Sequence, residues 1–200
     1  MRPAKRLPQE ERIQKIVQAA TRAIARTGFR GTRSRDLAQE AGVSEGLVFK
    51  YFPDKRALQK AILEDRLRRT GPLLTPEMNR MSPRDVLRKV ARVIIDRADQ
   101  DPNFMRILLY SGLEGEPLAE MLFKRRYSQG IGRLALLIRA WIRRGQVHPR
   151  IDPKLAAWAF VACVYQLMIS KHIFKVGRMM NLRGDMADRI ADFYVDGFKP

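Results

Sequence analysis

The sequence predicts an all-α protein of about nine helices, in which a small N-terminal domain precedes a larger helical domain. Apolar residues recur at spacings of three and four along most of the chain, and no segment shows the alternation typical of a strand. A polar residue followed by proline, a helix start signal, recurs at Ser82, Asp101 and Asp152. Hydrophobic residues make up 46% of the 200, which is ample for a packed core.

The first helix is expected over residues 9–27, because its apolar residues fall on one face and Gly28 can end it. Phe29 is expected to fold back into the core. Two short helices, 34–41 and 45–51, should follow. Asp54 is expected to cap a fourth helix, which ends in basic residues near position 69.

Gly71-Pro72 and Pro76 then break the chain, so we predict domains at 1–70 and 71–200. In the second, a long helix is expected from Glu116 to Gly145, softened at Gly130 and Gly132. Another is expected from Pro153 to about Val176, buried rather than membrane-spanning, since its uncharged run is short and contains Gln166. The last helix should start after Gly184.

The turn between the second and third helices is the most informative segment of the chain. Two helices that cross steeply need a short connection, and Gly42 can supply its left-handed backbone. Ser44 can cap the third helix and leave its N-terminus facing outward. Val48 and Phe52 should face inward, which leaves Glu45, Leu47, Phe49 and Lys50 outside. This is the pattern of a helix-turn-helix that reads duplex DNA in the major groove, and an ordinary helical hairpin is the alternative.

Residues 13–58 resemble the DNA-binding domain of the TetR family of bacterial transcriptional regulators. The matching string comprises Gly31-Thr32, Asp36-Leu37-Ala38, Ala41-Gly42-Val43-Ser44, Gly46, Tyr51-Phe52, Lys55 and Leu58. The resemblance implies a three-helix DNA-binding domain joined to a larger helical domain for ligand binding and dimerisation. It implies that residues 45–51 form the recognition helix, that Tyr51 and Lys55 contact phosphate, and that Lys50 contacts phosphate or a base edge.

Three positions depart from the usual family pattern. Arg33 replaces a threonine, so Thr32 or Ser34 would have to supply the cap of the second helix. Phe49 replaces a tyrosine and keeps a flat apolar contact, for example to a thymine methyl group. Glu45 replaces a lysine and either accepts a hydrogen bond from cytosine or stabilises the helix N-terminus. The predicted DNA-binding residues are Thr32, Arg33, Ser34, Ser44, Glu45, Gly46, Leu47, Phe49, Lys50, Tyr51 and Lys55.

Two further surfaces are predicted in the second domain. A homodimer is expected, because two half-sites on DNA need two reading units. Apolar residues of the last two helices are the candidates for the dimer interface, and the alternative is that they build the core of the monomer. They are Trp158, Val161, Ala162, Tyr165, Ile169, Ile190 and Phe193. An apolar or amphipathic effector is expected among the middle helices, where each residue could equally be core. Its candidates are Phe104, Met105, Leu108, Tyr110, Phe123, Trp141, Phe160 and Gln166.

Charge and composition bound the remaining alternatives. The net charge is +18, and residues 1–70 carry half of it with 17 Lys/Arg against 8 Asp/Glu, which favours polyanions. A single cysteine and a start without an apolar stretch predict a cytoplasmic protein. No enzyme motif, metal site or cofactor site is expected. Asp96, Asp99 and Asp101 lie close to Arg92 and Arg97 and are interpreted as solvated ion pairs. The basic N-terminal arm either reaches a minor groove or is a solvated tail. A non-specific DNA binder, or a ligand-binding protein with a vestigial helix-turn-helix, remains an alternative.

Overall fold

The computed structural model describes residues 8–176 and 185–199, so the basic N-terminal arm lies outside the described residues. Ten helices follow one another in the described part, which contains no strand. They are α1 (Gln9–Thr27), α2 (Ser34–Ala41), α3 (Glu45–Tyr51), α4 (Lys55–Arg69), α5 (Pro83–Gln100), α6 (Pro102–Glu114), α7 (Leu118–Leu122), α8 (Ser128–Arg143), α9 (Pro153–His172) and α10 (Met186–Phe198). A 3₁₀ turn at Pro76–Arg80 precedes α5. The predicted all-α fold is confirmed.

Several helices begin at the predicted caps. Ser44, Asp54, Ser82 and Asp152 each accept a hydrogen bond from the backbone N–H three residues on, at 3.3, 2.7, 3.2 and 2.7 Å. Such a bond satisfies a donor that has no partner inside the helix. The bounds of α1, α2 and α3 agree with the prediction for the same reason, because a cap or a glycine marks their ends.

The long helix contains an irregularity that the sequence did not locate. Residues Phe123–Tyr127 form a π-helical turn that joins α7 to α8 without a break, and counting this stretch as one helix gives nine in the described part. The predicted soft points, Gly130 and Gly132, lie within regular α8. Gly130 faces Leu73, and a Cβ there would lie 3.4 Å from its Cδ2, within van der Waals contact.

The chain divides into two compact units. The first comprises the residues up to Gly71 together with Asn103–Leu122. Within it, α1 packs on α2 and α4, and α4 packs on α7. Hydrogen bonds fix α6 to the end of α1: Nε of Arg106 donates to the Ala25 carbonyl at 2.6 Å, and Glu114 Oε2 accepts from the Arg30 amide at 2.9 Å. The predicted boundary assigned residues 103–122 to the second domain and differs here, because contacts between residues more than eighty positions apart leave no local signal.

The second unit comprises Pro72–Pro102 and Phe123–Pro200. Its core is formed by α5, α8, α9 and α10, with α5 against α10 and α9, and α8 against α9. By length and composition alone, α9 is the one helix of the described residues that could cross a membrane. Its Phe160, Val164 and Met168 are fully buried in the unit, as expected of a core helix.

Asp99, near the end of α5, forms ion pairs with residues of α9 that are distant in sequence. Asp99 contacts Nζ of Lys171 and Nε2 of His172, each at 2.7 Å. Arg92 pairs with Asp185, which caps α10. The pairing follows from the packing of α5 on α9 and α10, which brings together charges that are distant in sequence.

Candidate nucleic-acid interface

The turn between α2 and α3 has the predicted backbone. Gly42 lies in the left-handed region with φ 65° and ψ 38°. Its amide donates to the Gln39 carbonyl at 3.2 Å, and the Val43 amide donates to the Ala38 carbonyl at 3.0 Å. These bonds close the end of α2 and let the chain enter α3 within three residues.

One face of α3 anchors it to the unit, and the opposite face is exposed. Val48 and Phe52 are buried, as are Leu37 and Ala38 of α2. On the outward side, the Phe49 ring is 50% exposed, although exposure of a large aromatic residue is normally unfavourable. Gly46 and Lys50 are also exposed, and Leu47 and Tyr51 are partly buried. The helix therefore presents its N-terminal turn and one apolar ring to solvent.

An ion-pair cluster fixes α2 against α1. Glu40 accepts a hydrogen bond from Nε of Arg22 at 2.9 Å and is also paired with Arg26. The hydrogen bond from Arg26 holds the pKa of Glu40 below its ordinary value, and the same bond raises the pKa of Arg26. This cluster lies on the outside of the unit, so it sets the angle of α2 without interrupting the apolar core.

The start of α2 differs from the prediction. Thr32 does not cap it, because its hydroxyl donates to the Gly28 carbonyl at 2.6 Å and contacts Thr27 Oγ1 at 3.0 Å. Ser34 is the first residue of the helix, and its hydroxyl donates to Glu45. The carboxylate of Asp36 accepts from the Arg33 amide at 3.2 Å and supplies the missing cap from inside the helix.

Glu45 joins the N-terminal ends of α2 and α3 through its contact with Ser34. A carboxylate in the first turn of a helix is also favoured by the helix dipole. Both observations favour a structural role for Glu45. Since the residue remains exposed, contact with a base stays a second prediction for the same side chain.

A cleft borders α3, which we call the α3 cleft, and its volume is about 660 Å³. It brings together six of the predicted DNA-binding residues: Thr32, Arg33, Ser34, Glu45, Phe49 and Lys55. Nζ of Lys55 lies 3.5 Å from the Phe29 carbonyl at the same site. The other predicted residues, Ser44, Gly46, Leu47, Lys50 and Tyr51, are not part of its lining. Arg35 and Gln59 also line it, although neither was predicted from the sequence.

The predicted effector residues are divided between the two units. Phe104 and Met105 are buried in the first, where Leu108 and Tyr110 are partly buried. In the second, Trp141 and Phe160 are enclosed in the core, Phe123 is half-exposed and Gln166 is exposed. Their role in binding an effector stays a prediction. No group of three or more His, Cys, Asp or Glu residues suited to a metal ion occurs in the described ranges.

The predicted dimer residues also differ in exposure. Val161 and Ile190 belong to the core of the second unit, so their side chains offer no area to a partner. Ala162, Tyr165 and Ile169 are partly buried. Trp158 and Phe193 are 54% and 75% exposed. Leu136 and Leu155, which the sequence analysis did not select, are 63% and 66% exposed.

Comparison with known proteins agrees with this geometry. Residues 16–62 match the profile of "Bacterial regulatory proteins, tetR family". The transcriptional regulator RutR of Escherichia coli K12 is 29% identical over 139 residues, which span 70% of this chain and 65% of RutR. The chain thus covers slightly less than two thirds of that relative. The transcriptional repressor Rv3405c of Mycobacterium tuberculosis H37Rv is 30% identical over 165 residues, 82% of this chain and 74% of the repressor.

Solved structures share the fold over nearly the whole chain. The fatty acid degradation regulator FadR of Bacillus halodurans has a TM-score of 0.67 at 16% identity, covering 96% of this chain and 97% of FadR. A protein of Rhodococcus sp. assigned to the TetR family has a TM-score of 0.70 at 25% identity, covering 94% and 98%. The family profile lies on α1 to α4, where the helix-turn-helix geometry is found. The chain therefore belongs to the TetR family of bacterial regulatory proteins.

Proposed function

We propose that this protein is a ligand-responsive transcriptional regulator, a repressor, that binds palindromic operator DNA as a homodimer in the cytoplasm. The observation that carries the proposal is the outward face of α3, held by a left-handed glycine turn and a serine cap. The relatives named as transcriptional regulators and as a repressor support the same conclusion and argue against an enzyme.

In this proposal α3 enters the major groove with its N-terminus toward the bases. Lys50 and Phe49 face the base edges, where the ring can contact a thymine methyl group. Tyr51 and Lys55 contact phosphates on the flanking strand. The N–H groups at the N-terminus of α3 are also suited to phosphates, because the helix dipole is positive at that end.

A homodimer would give two reading units for two half-sites, one turn of DNA apart. The best surface for it is a groove of about 480 Å³ between α8 and α9, which we call the α8–α9 groove. Leu136, Leu155 and Trp158 line it, and all three are more than half exposed. Three exposed apolar side chains on one face favour a partner that presents the same face, as a symmetric dimer requires.

The dimer surface can be tested by adding a charge to it. We predict that Leu155→Glu weakens self-association by at least about tenfold, because a carboxylate would be desolvated in the interface. Leu113→Glu is the matched control, since Leu113 is 83% exposed but lies on α6 in the first unit. Sedimentation velocity over micromolar concentrations measures both variants. Unchanged association of Leu155→Glu would place the interface elsewhere.

DNA binding is tested by titrating the protein with a labelled palindrome from its own upstream DNA and with random duplex. Both titrations are done at two salt concentrations. A regulator is expected to prefer its operator by at least about a thousandfold. No binding at low salt would refute DNA recognition altogether.

The net charge of +18 supports one alternative, a nucleoid-like protein that coats DNA without sequence preference. Equal affinities for palindrome and random duplex, with a steep salt dependence in both, would favour it. An effector is the remaining part of the proposal, and it would act by shifting an equilibrium between two conformations of the dimer. Screening by thermal shift identifies it, since a ligand of the native state raises the apparent stability.

A further inference from the structure

We propose that the α3 cleft binds a small amphipathic organic anion, and that this anion and DNA exclude each other. The exclusion rests on the proposed function, whereas binding of the anion does not. The site lies inside the DNA-reading unit and is separate from the effector residues predicted above.

The size and floor of the cleft suit a compact apolar body. A volume of about 660 Å³ lies within the range of roughly 300–1,000 Å³ that small-molecule sites occupy. Its buried floor is formed by Ile24, Phe29, Val48, Phe52 and Leu58, each less than 9% exposed. Apolar surface at the base of a cleft favours a ligand that displaces water from it.

A buried polar group with an unsatisfied acceptor borders the same cleft. Gln59 is 1% exposed, and its Nε2 donates to Oε2 of Glu116 at 2.7 Å. Its Oε1 has no hydrogen-bond partner within the described ranges. Buried polar atoms almost always have a partner, so this oxygen of a lining residue lacks the donor that a water molecule or a ligand group would supply. A ligand hydroxyl or N–H group would satisfy it.

The charges around the cleft favour an anion. Arg33, Arg35 and Lys55 line it together with two carboxylates. Both carboxylates already accept hydrogen bonds, Asp54 from the Ala57 amide at 2.7 Å and Glu45 from Ser34. Three cations against two carboxylates leave the lining one positive charge in excess. The two guanidinium groups and the Lys55 ammonium group, which also donates to the Phe29 carbonyl at 3.5 Å, can bind a carboxylate, sulfonate or phosphate head group.

An anion in this position would oppose DNA directly. It would neutralise Arg33 and Lys55, which are predicted to lie at the DNA surface, and it would occupy space beside the Phe49 ring. Phosphate and ligand would compete for the same cations, so each would weaken the binding of the other.

The test uses the full chain and two probes with similar apolar bodies. The first is 1-anilinonaphthalene-8-sulfonate, which carries one sulfonate, and the second is the uncharged N-phenyl-1-naphthylamine. Fluorescence titration is expected to show saturable binding of the sulfonate, at least about tenfold tighter than its uncharged analogue. Equal affinities, or no saturable binding of the sulfonate, would overturn the proposal.

Two matched variants locate the probe. Arg35→Glu reverses a charge in the lining, whereas Arg56→Glu makes the same change at an exposed residue outside it. We expect the first to weaken sulfonate binding about tenfold and the second to alter it less than about twofold. Circular dichroism establishes that both variants are folded. Equal effects of the two variants would place the probe outside the cleft and overturn the proposal.

Addition of duplex DNA then tests exclusion. Release of the bound sulfonate as DNA binds supports it, whereas a ternary complex of protein, probe and DNA overturns it. A protein that binds the sulfonate but no DNA would refute the proposed function and leave the anion site standing. A protein that binds its operator but no sulfonate would refute the anion site and leave the proposed function standing.

Discussion

Two glycines four residues apart in the helix-turn-helix should respond in opposite ways to the same substitution. Gly42 is in the left-handed region and Gly46 lies in the regular helix α3. A Cβ at either position would meet nothing within 4 Å. Steric clashes therefore do not contribute to the effect of alanine at either position, and the two positions differ only in backbone conformation.

The expected free energies follow from this difference. Gly42→Ala should destabilise the protein by about 1–2 kcal/mol, because an L-residue in the left-handed region brings its Cβ close to the following carbonyl oxygen. Gly46→Ala should stabilise it by up to about 1 kcal/mol, because glycine loses more backbone entropy than alanine on entering a helix. The two variants should thus lie about 1–3 kcal/mol apart.

Urea denaturation followed by circular dichroism at 222 nm measures this difference. Tryptophan fluorescence is unsuitable, since Trp141 and Trp158 both belong to the second unit and the substitutions lie in the first. A destabilised Gly46→Ala would contradict the expected gain in helix α3, whereas equal stabilities of the two variants would show that the turn does not require the left-handed conformation. The reasoning about Gly42 would then be refuted.

Three further predictions concern charged residues of the same unit. Lys55→Ala should weaken binding to every DNA sequence and make the slope of log affinity against log salt shallower by about one unit, whereas Lys60→Ala, an exposed residue of the same helix, should not. Glu45→Ala should change the half-site that a binding selection prefers if the Glu45 carboxylate reads a base. An unchanged preference would leave Glu45 only its structural contact with Ser34. Hydrogen bonding to Arg26 holds the pKa of Glu40 in the folded protein below its ordinary value of 4.5. As the pH falls, Glu40 is therefore protonated in the unfolded chain before it is protonated in the folded one. The pair between Glu40 and Arg26 thus contributes to folding stability above pH 4.5, and this contribution is lost as the pH falls below that value. Denaturation at several pH values should show a shallower acid loss for Glu40→Gln than for the wild type, and identical curves would contradict the role of this pair.

Local signals account for the parts of the fold that the sequence predicted well. Gly42, Ser44 and Asp54 act on backbone groups within a few residues of themselves, so their effect is visible in a short window of sequence. The inward positions of Val48 and Phe52 follow from the helical repeat in the same way. The core of the candidate interface was predictable for these reasons.

The remaining features depend on contacts between distant parts of the chain. The sequence assigned residues 103–122 to the second domain, whereas the structure packs them with the first unit through contacts that no local pattern records. Asp99 pairs with α9 rather than with its neighbours in α5. The π-helical turn occurs at Phe123–Tyr127, where no glycine or proline marks it. The α3 cleft was missed because Gln59 is close to α3 only after α4 has packed.

The attachment of α6 to α1 has a consequence for how this part of the sequence can change. Arg106, Tyr110 and Glu114 lie on one face of α6, and their side chains bind the Ala25 carbonyl, the Arg26 carbonyl and the Arg30 amide. A main-chain group is the same whichever amino acid carries it. Mutations at positions 25, 26 and 30, other than to proline, would therefore leave these three bonds available, whereas each change on the α6 side removes one. For these bonds the junction therefore constrains the three α6 side chains, whereas Ala25 is constrained by its burial and Arg26 by its pairing with Glu40.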